Sequence, residues 1–249
     1  MTGRPTGTRA IVTGAAGGLG RAITHALVDA GQPVAAVDIA EDRLKELVAG
    51  TPEGWVSPVV ADVTEPQAAE DAVRSIAALG PPLVLISNAG ITDRAAFIQD
   101  MSDDHWNAEI EVNASAPFYW TRACLPHMRK HGWGRIVNIS SIAGSMGDSG
   151  HAGYAAAKAA VLGLTRATAL EGSGRGITAN AVLPGIIRTP AYDRIEPPVR
   201  ERVERATAMK RAGEPAEVAA LVAHLSSDLA SYTTGQEFAV DGGLGLFVF

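Results

Sequence analysis

Short apolar runs rich in β-branched side chains alternate along the chain with longer segments whose apolar residues recur every three or four positions. A short apolar run predicts a buried strand, and the longer repeat predicts an amphipathic helix. Regular alternation of the two is typical of βαβ units and of a parallel sheet covered by helices. The predicted strands are residues 9–13, 34–38, 56–61, 83–87, 135–140, 177–183 and 238–240.

Segments of helical period fill the intervals between these strands. The first follows a glycine-rich turn at residues 14–20, and a long one covers 103–130. Pro117 is expected to bend the long helix, because proline cannot donate the helical hydrogen bond. Pro58 makes the third strand less regular for the same reason. No linker, repeat or low-complexity segment divides the chain, so we expect one domain spanning 1–249.

Composition narrows the class of protein. A content of 47% hydrophobic and 19% charged residues is ordinary for a globular protein. The formal net charge of −6 and the lack of a basic stripe argue against a nucleic-acid partner. The single cysteine rules out an internal disulfide, and the six histidines lack metal-ligand spacing, so we expect no metal site.

The sequence also shows no signal for a membrane or for export. No stretch approaches the roughly 18 consecutive apolar residues of a membrane-spanning helix. The segment MTGRPTGTR has no apolar run behind its charges, unlike a secretory signal. We therefore expect a cytoplasmic protein with no membrane partner.

The turn between the first strand and the first helix contains Gly14, Gly18 and Gly20. A glycine-rich turn in this context aims backbone N–H groups at a phosphate, and side chains there would block close approach. A purely structural tight turn is the alternative. Asp38 ends the second strand, where a carboxylate suits the ribose diol of a dinucleotide and repels a 2′-phosphate. We therefore expect NAD rather than NADP as cofactor.

Residues 141–158 hold a serine hydroxyl, then Tyr154 thirteen residues later, then Lys158 four residues after the tyrosine. On a helix, the last two side chains lie one turn apart on one face. A phenol titrates near pH ~10, and a nearby ammonium favours phenolate. The spacing therefore favours proton transfer by Tyr154, although an ordinary alanine-rich helix is the alternative.

The order of the motifs resembles that of the short-chain dehydrogenases/reductases. The resemblance covers residues 9–243 and implies a Rossmann-type, doubly wound α/β fold. Its sheet would be seven-stranded and mostly parallel, with helices on both faces. The motifs are Thr13-Gly14-xxx-Gly18-x-Gly20, Asn88-Ala89-Gly90 and Tyr154-xxx-Lys158.

The resemblance also implies catalytic roles. The family's tetrad matches Asn113, Ser141, Tyr154 and Lys158. Ser141 would hydrogen-bond the substrate oxygen and Tyr154 would be the general acid/base. Lys158 would lower the Tyr154 pKa and hold the nicotinamide ribose, and Asn113 would anchor a proton-relaying water. The thirteen-residue step back from Tyr154 selects Ser141 over Ser140, which is expected to be structural.

The family's cofactor contacts match positions that follow several of the predicted strands. The first group lies at the dinucleotide phosphates and adenosine, and the last group grips the nicotinamide. The matching positions are Gly14, Gly18, Leu19, Gly20, Asp38, Ile39, Asp62, Val63, Asn88, Ala89, Gly90, Tyr154, Lys158, Pro184, Gly185, Ile187 and Thr189.

Residues 140–190 are most similar to the 3-oxoacyl-carrier-protein reductases and their secondary-alcohol relatives. Two departures matter: Ser87 replaces the family's asparagine, and Gly17 and Ile39 stand where NADP-dependent relatives usually carry a basic residue. We therefore expect an NAD(H)-dependent enzyme that interconverts a small-molecule secondary alcohol and its ketone. The alternatives are a 3-oxoacyl thioester reductase using NADPH or NADH, and a non-catalytic dinucleotide-binding protein.

Some features bear on substrate and assembly. Residues 188–211 are charged and proline-rich, with a short helix expected at 200–209. We expect this segment to be a substrate lid, with a plain solvated helix as the alternative.

Small residues line the Tyr154 helix, and family counterparts pack there between subunits, so we expect a homotetramer. Scattered basic residues could dock an acyl-carrier protein, but isolated surface charges are the favoured interpretation. His151 is expected in a solvated loop, with substrate contact as the alternative.

Overall fold

The computed structural model describes residues 3–92 and 95–246. Its strands form one sheet in which all neighbouring pairs are parallel. The predicted doubly wound α/β fold is confirmed. The predicted domain also included residues 1–2, 93–94 and 247–249, which lie outside the described residues. The strands are β1 (Arg9–Thr13), β2 (Val34–Asp38), β3 (Val56–Val60), β4 (Pro82–Ser87), β5 (Gly134–Ile139), β6 (Ile177–Pro184) and β7 (Glu237–Val240).

The strand order is β3-β2-β1-β4-β5-β6-β7. The chain starts at the centre, runs outward to β3, and then returns to the other side of β1 to form β4. This reversal opens a crevice between β1 and β4 at the carboxyl ends of the strands, where ligands of such sheets bind. Pro58 is tolerated because β3 is an edge strand, which pairs on one side only.

Helices cover both faces of the sheet. Helix α1 packs against α10, and α5 packs against α3 and α7. None of the helices in the described ranges combines the length and the apolar character needed to cross a bilayer. The helices are α1 (Gly18–Asp29), α2 (Glu41–Ala49), α3 (Pro66–Ala77), α4 (Asp103–Ile110), α5 (Ala116–His131), α6 (Ala143–Met146), α7 (Ala152–Gly172), α8 (Pro190–Asp193), α9 (Pro197–Ala206) and α10 (Pro215–Leu225).

The long helix predicted at 103–130 is interrupted by a π-helical turn, Glu111–Ser115, between α4 and α5. The interruption lies just upstream of the predicted bend at Pro117. Proline lacks the N–H that an α-helix would direct at the carbonyl four residues earlier, which belongs to Asn113. The π turn therefore forms around Asn113, and such turns are frequent at functional sites.

The segment 188–211 contains two short helices. Helix α9 begins at Pro197, three residues before the predicted start at 200, and ends at Ala206 rather than 209. The earlier start follows from Pro197 and Pro198, whose missing N–H groups cost nothing in the first turn of a helix.

Candidate active site

All strands of the sheet are parallel, so their carboxyl ends meet at one edge. The predicted functional residues follow five of these ends. The glycine turn follows β1, Asp38 ends β2, Asn88 follows β4 and Ser141 follows β5. Pro184 ends β6. The topology alone therefore gathers residues that are up to 170 positions apart in the sequence (184 − 14).

The three glycines of the turn are required for different reasons. A Cβ on Gly14, which has φ +63°, would lie 2.7 Å from Ala89 Cα. A Cβ on Gly20 would overlap the carbonyl oxygen of Gly14. A Cβ on Gly18 would instead lie 2.7 Å from Pro190 Cδ and 3.0 Å from Thr189 Cβ. Two glycines thus permit backbone packing, and Gly18 permits contact with the start of the segment 188–211.

Asn88 and Thr13 clamp the glycine turn to the end of β4. The Asn88 side-chain amide donates to the carbonyls of Thr13 (2.9 Å) and Gly14 (3.1 Å). The Thr13 hydroxyl accepts the N–H groups of Asn88 (3.0 Å) and Ala89 (3.1 Å). Thr13 was not among the predicted site residues, although its place directly before the first motif glycine was a usable signal.

Two backbone N–H groups hold the Asp38 carboxylate in place. Its Oδ2 accepts the N–H of Ala16 and its Oδ1 accepts the N–H of Ala40, both at 3.0 Å. Each carboxylate oxygen has a further lone pair for a ribose hydroxyl. Ile39, beside it, exposes 67% of its surface and offers an apolar face for a base. These residues fit the adenosine end of a nicotinamide dinucleotide.

Five other predicted cofactor residues make contacts within the protein. The exposed Asp62 carboxylate accepts hydrogen bonds from the Thr64 N–H (2.9 Å) and hydroxyl (2.7 Å). Leu19, Val63 and Ile187 are partly buried and pack against the core. Gly185 approaches Asp241, where a Cβ would lie 2.8 Å from Asp241 Cα.

The tetrad residue that follows β5 and the two on α7 come together. Ser141 and Tyr154 share a side-chain hydrogen bond. The buried Lys158 ammonium lies 5.7 Å from the centre of the Tyr154 ring and donates to the Ile139 carbonyl at 2.9 Å. The Ser140 hydroxyl donates to the Lys158 carbonyl at 2.8 Å, so its role is to hold α7 against β5.

Asn113 reaches the same point from the π turn. A Cβ on Gly90 would lie 2.8 Å from Asn113 Oδ1 and 3.4 Å from Lys158 Nζ. The Asn113 amide donates to the carbonyls of Ile91 (2.8 Å) and Glu109 (2.9 Å), and its Oδ1 accepts the Ile91 N–H at 3.1 Å. Since the side chain is bonded to the protein, the backbone carbonyl is the group suited to a water.

Burial shifts the pKa values of Tyr154 and Lys158, and the shift of Tyr154 is not the lowering that was expected. Burial raises the pKa of Tyr154, the hydrogen bond with Ser141 opposes this, and the carboxylates of Asp148 and Glu109 raise the pKa further. Burial lowers the pKa of Lys158 to about 8. Desolvation dominates both groups, so the pKa of Tyr154 lies above its ordinary value and not below it.

Asp148 and Glu109 were not predicted as part of the site. Asp148 lies in the loop before α7, with an oxygen 3.1 Å from Nδ1 of His151. The loop is fixed by a hydrogen bond from the Ala96 N–H to the Gly150 carbonyl at 2.8 Å. Glu109 is fully buried on α4 against Gly153 of α7. No sequence spacing signals these contacts, because they depend on how α4 and the loops pack on α7.

The chain is similar to known enzymes along nearly its full length. A family model described as enoyl-(acyl carrier protein) reductase matches residues 14–245. A 3-oxoacyl-[acyl-carrier-protein] reductase of Thermotoga maritima is 40% identical and covers 94% of this chain and 96% of its own. A 3-alpha-(or 20-beta)-hydroxysteroid dehydrogenase of Mycobacterium tuberculosis is 39% identical, covering 98% and 91%. A crystal structure of an Agrobacterium tumefaciens protein, described provisionally as a gluconate dehydrogenase, has a TM-score of 0.93, 30% identity and 97% coverage of both chains.

Proposed function

Because the chain belongs to the short-chain dehydrogenase/reductase family, whose enzymes act on CH–OH donors with a nicotinamide cofactor, we propose that it interconverts a secondary alcohol and a ketone with NAD(H). The observation that carries this proposal is the convergence of Ser141, Tyr154 and Lys158 beside Gly90 at the carboxyl edge of the sheet. A protein that only bound a dinucleotide would not need this proton-transfer group.

In the proposed mechanism, Ser141 hydrogen-bonds the substrate oxygen while Tyr154 takes its proton during oxidation or returns it during reduction. The nicotinamide, when bound, supplies the hydride acceptor or donor and, when oxidised, a positive charge that offsets the raised pKa of Tyr154. The Lys158 ammonium would hold the nicotinamide ribose, and its hydrogen bond to the Ile139 carbonyl supports this role because it fixes the side chain.

Protons would leave the site through Lys158 and a water on the Asn113 carbonyl. Pro117 supports this role because it removes the N–H that an α-helix would direct at that carbonyl. The hydrogen bonds between Asn113 and Ile91 support it further, because they hold the π turn next to Lys158.

We propose NAD as the preferred cofactor. The Asp38 carboxylate would accept from a ribose diol and repel a 2′-phosphate. Gly17 and Ile39 offer no positive charge to such a phosphate. Arg21, the first cation after the turn, is bonded to the carbonyls of Ala16 and Arg43 and to Glu46.

A 3-oxoacyl thioester reductase is the second candidate, and the names of several relatives favour it. Besides the Thermotoga enzyme, other similar proteins are described as acetoacetyl-CoA reductase and 3-hydroxyacyl-CoA dehydrogenase. Docking of an acyl-carrier protein has less support, because Arg129, one of the candidate basic residues, lies 3.6 Å from the carboxylate of Glu171.

We further propose that the enzyme is a homotetramer. Helix α7 exposes a stripe of small residues that would let a second helix approach closely, and Leu170 at its end is 82% exposed. A Cβ on Gly163, in the middle of the stripe, would meet nothing within 4 Å. The exposed small residues are Ala159, Ala160, Gly163 and Ala167.

The test of the proposed reaction is a substrate panel followed by absorbance of the reduced nicotinamide. Simple ketones, 3-oxoacyl-CoA thioesters and secondary alcohols are each offered with NAD(H) and with NADP(H). We expect turnover of simple ketones and alcohols, with NAD(H) preferred. Selective turnover of thioesters would establish the second candidate, and preference for NADPH would overturn the assignment based on Asp38. Tight NADH binding without any turnover would contradict catalysis.

A further inference from the structure

The lid, residues 188–211, is attached to the rest of the protein by few side chains. Helix α9 has no buried residue along its ten positions. On α8, Tyr192 is the buried side chain, with 9% of its surface exposed. A segment with so little apolar burial has low local stability, so its position depends on the remaining contacts.

Within the segment, a cluster of side chains surrounds Tyr192; we call it the Tyr192 latch, and it comprises Arg188, Tyr192, Arg200 and Glu204. The Arg188 side chain also lies 3.3 Å from a carboxylate oxygen of Glu214 and so connects the latch to the chain beyond the segment. The Tyr192 hydroxyl donates to Glu204 Oε1 at 2.5 Å and so joins α8 to α9. The Arg188 guanidinium lies 3.5 Å from the same Glu204 oxygen. Arg188 and Arg200 lie 5.9 and 5.3 Å from the centre of the Tyr192 ring, within cation–π range.

The latch acts on the part of the lid that touches the glycine turn. Thr189 and Pro190 begin α8 directly over Gly18, three residues or fewer before Tyr192. Gly18 belongs to the turn that would cradle the dinucleotide phosphates, and Thr189 was predicted to contact the nicotinamide. Fixing Tyr192 therefore fixes the backbone that closes this end of the cofactor site.

Both ends of the lid are anchored independently of the latch. The Arg188 N–H donates to the Gly213 carbonyl and the Gly213 N–H to the Ile186 carbonyl, both at 2.9 Å. At the far end, the Met209 N–H donates to the Gly242 carbonyl at 3.0 Å. Between these anchors, the bond between Tyr192 and Glu204 joins α8 to α9 and so limits how far α8 can move within the segment.

We infer that the Tyr192–Glu204 hydrogen bond holds Thr189 and Pro190 over the glycine turn and thereby slows the release of NAD(H). The inference rests on the proposed binding of NAD(H). Tyr192 is a positioning residue, because it acts through Thr189 and Pro190 and not on the reacting atoms. Glu204 and Arg188 complete the latch.

The bond is suited to this role at neutral pH. The hydrogen bond with Glu204 raises the pKa of Tyr192, and the same bond lowers the pKa of Glu204. The phenol therefore keeps its proton and the carboxylate its charge. A hydrogen bond to a charged group is stronger than a neutral one, so its loss is expected to speed release by about fivefold to twentyfold.

The test measures the rate of NADH dissociation by stopped-flow fluorescence, with displacement of bound NADH by excess NAD. Tyr192→Phe removes only the hydroxyl, and we expect the dissociation rate to rise by about fivefold to twentyfold. Glu204→Gln keeps an acceptor but loses the charge, so its effect should be smaller and in the same direction. Tyr232→Phe, the same change at a fully exposed tyrosine, is the matched control and should leave the rate unchanged.

Limited digestion with trypsin provides a readout that does not involve turnover. The lid carries Arg194, Arg200, Arg202 and Arg205, and a lifted lid is cleaved faster. We expect faster cleavage of Tyr192→Phe and protection of the native enzyme by NADH. If Tyr192→Phe does not fold, the Glu204→Gln variant, at a partly buried side chain, decides the matter with the same measurements.

The outcomes separate the two proposals. Native enzyme that binds NADH, together with Tyr192→Phe and Glu204→Gln variants that release it at the native rate, would overturn the latch and leave the proposed function intact. Native enzyme without measurable NADH binding would overturn the proposed function and the latch with it. Faster release by both latch variants and not by Tyr232→Phe would establish the inference.

Discussion

At the scale of single residues, the glycine motif combines two different requirements. The space beside Gly20 is filled by the backbone of Gly14, which cannot move without distorting the strand and the turn. The space beside Gly18 is filled by Pro190 and Thr189, which belong to the weakly attached lid. The same substitution is therefore expected to have different effects at the two positions.

Replacing each glycine with alanine tests this difference. Gly20→Ala forces a backbone overlap and should lower the free energy of unfolding by about 3 kcal/mol, the usual upper range for overpacking. Gly18→Ala should shift the lid and weaken NADH binding with little loss of stability. Thermal unfolding and NADH titration measure the two effects, and equal loss of stability in both variants would contradict the account.

Asp148 gives a pH-dependent prediction. Its negative charge raises the pKa of Tyr154, so Asp148→Asn should lower that pKa. Alcohol oxidation needs the phenolate, and its rate therefore falls as the pH drops below the pKa of Tyr154. The rising limb of kcat/KM against pH should move to lower pH in the variant. Asp42→Asn, on the exposed face of α2, is the control, and an upward shift in Asp148→Asn would contradict the assignment.

At the scale of elements, α7 carries a charge that its surroundings do not favour. Burial lowers the pKa of Lys158 from 10.5 to about 8, which corresponds to about 3 kcal/mol against the ammonium in the folded protein. The partner within reach is a neutral carbonyl, that of Ile139. The helix thus keeps a destabilising residue at the position where the proposed chemistry needs a cation.

Lys158→Met should therefore stabilise the protein while abolishing turnover. Removing the buried ammonium should raise the free energy of unfolding by about 3 kcal/mol. Leaving the Ile139 carbonyl without its donor should lower it by about 1 kcal/mol, so the net increase is about 2 kcal/mol. The unfolded chain keeps the lysine proton up to the ordinary pKa of 10.5, so native stability rises between about pH 8 and 10.5. The variant should lose this rise, as measured by urea unfolding.

The control for that experiment is Lys130→Met, which removes an exposed ammonium at the end of α5. It should change neither the stability at pH 7 nor its dependence on pH. A Lys158→Met protein that is less stable than the native one would contradict the view that burial of the ammonium costs stability.

At the scale of the whole molecule, the order of strands explains how much the sequence could predict. Apolar periodicity located the seven strands, and parallel pairing brings their carboxyl ends together whatever the intervening loops do. The positions of Gly14, Asp38, Asn88 and Ser141 at one edge of the sheet followed from that topology. Side-chain motifs with fixed local spacing, such as Tyr154 and Lys158, could also be predicted because one helix carries both.

The contacts that could not be predicted are those between elements with no fixed spacing. Glu109 meets α7 because α4 ends in a π turn, and Tyr192 meets Glu204 because two proline-started helices fold onto each other. The raised pKa of Tyr154 could not be predicted, because the burial that raises it depends on the same packing. Sequence spacing predicts which side chains share one face of a helix. It does not predict which of those side chains the packing of other elements removes from water.

The proposed homotetramer is a prediction at this scale. Gly163→Arg places a long cation in the open stripe of α7, where the single subunit has room for it. The free energy of unfolding of the isolated subunit should change little, while light scattering should show a smaller species. Ala49→Arg, on the exposed end of α2, is the control and should assemble normally. A native protein that is monomeric at micromolar concentration would contradict the proposal.

The most direct test of the proposed activity is Tyr154→Phe, which removes the phenol oxygen and keeps the ring. Turnover of ketones and alcohols with NAD(H) is measured beside NADH binding, with Tyr232→Phe as the matched control. We expect at least about a hundredfold loss of kcat, which is typical for removal of a general acid/base, with NADH affinity nearly unchanged. Turnover at the native rate in Tyr154→Phe would contradict the proposed activity.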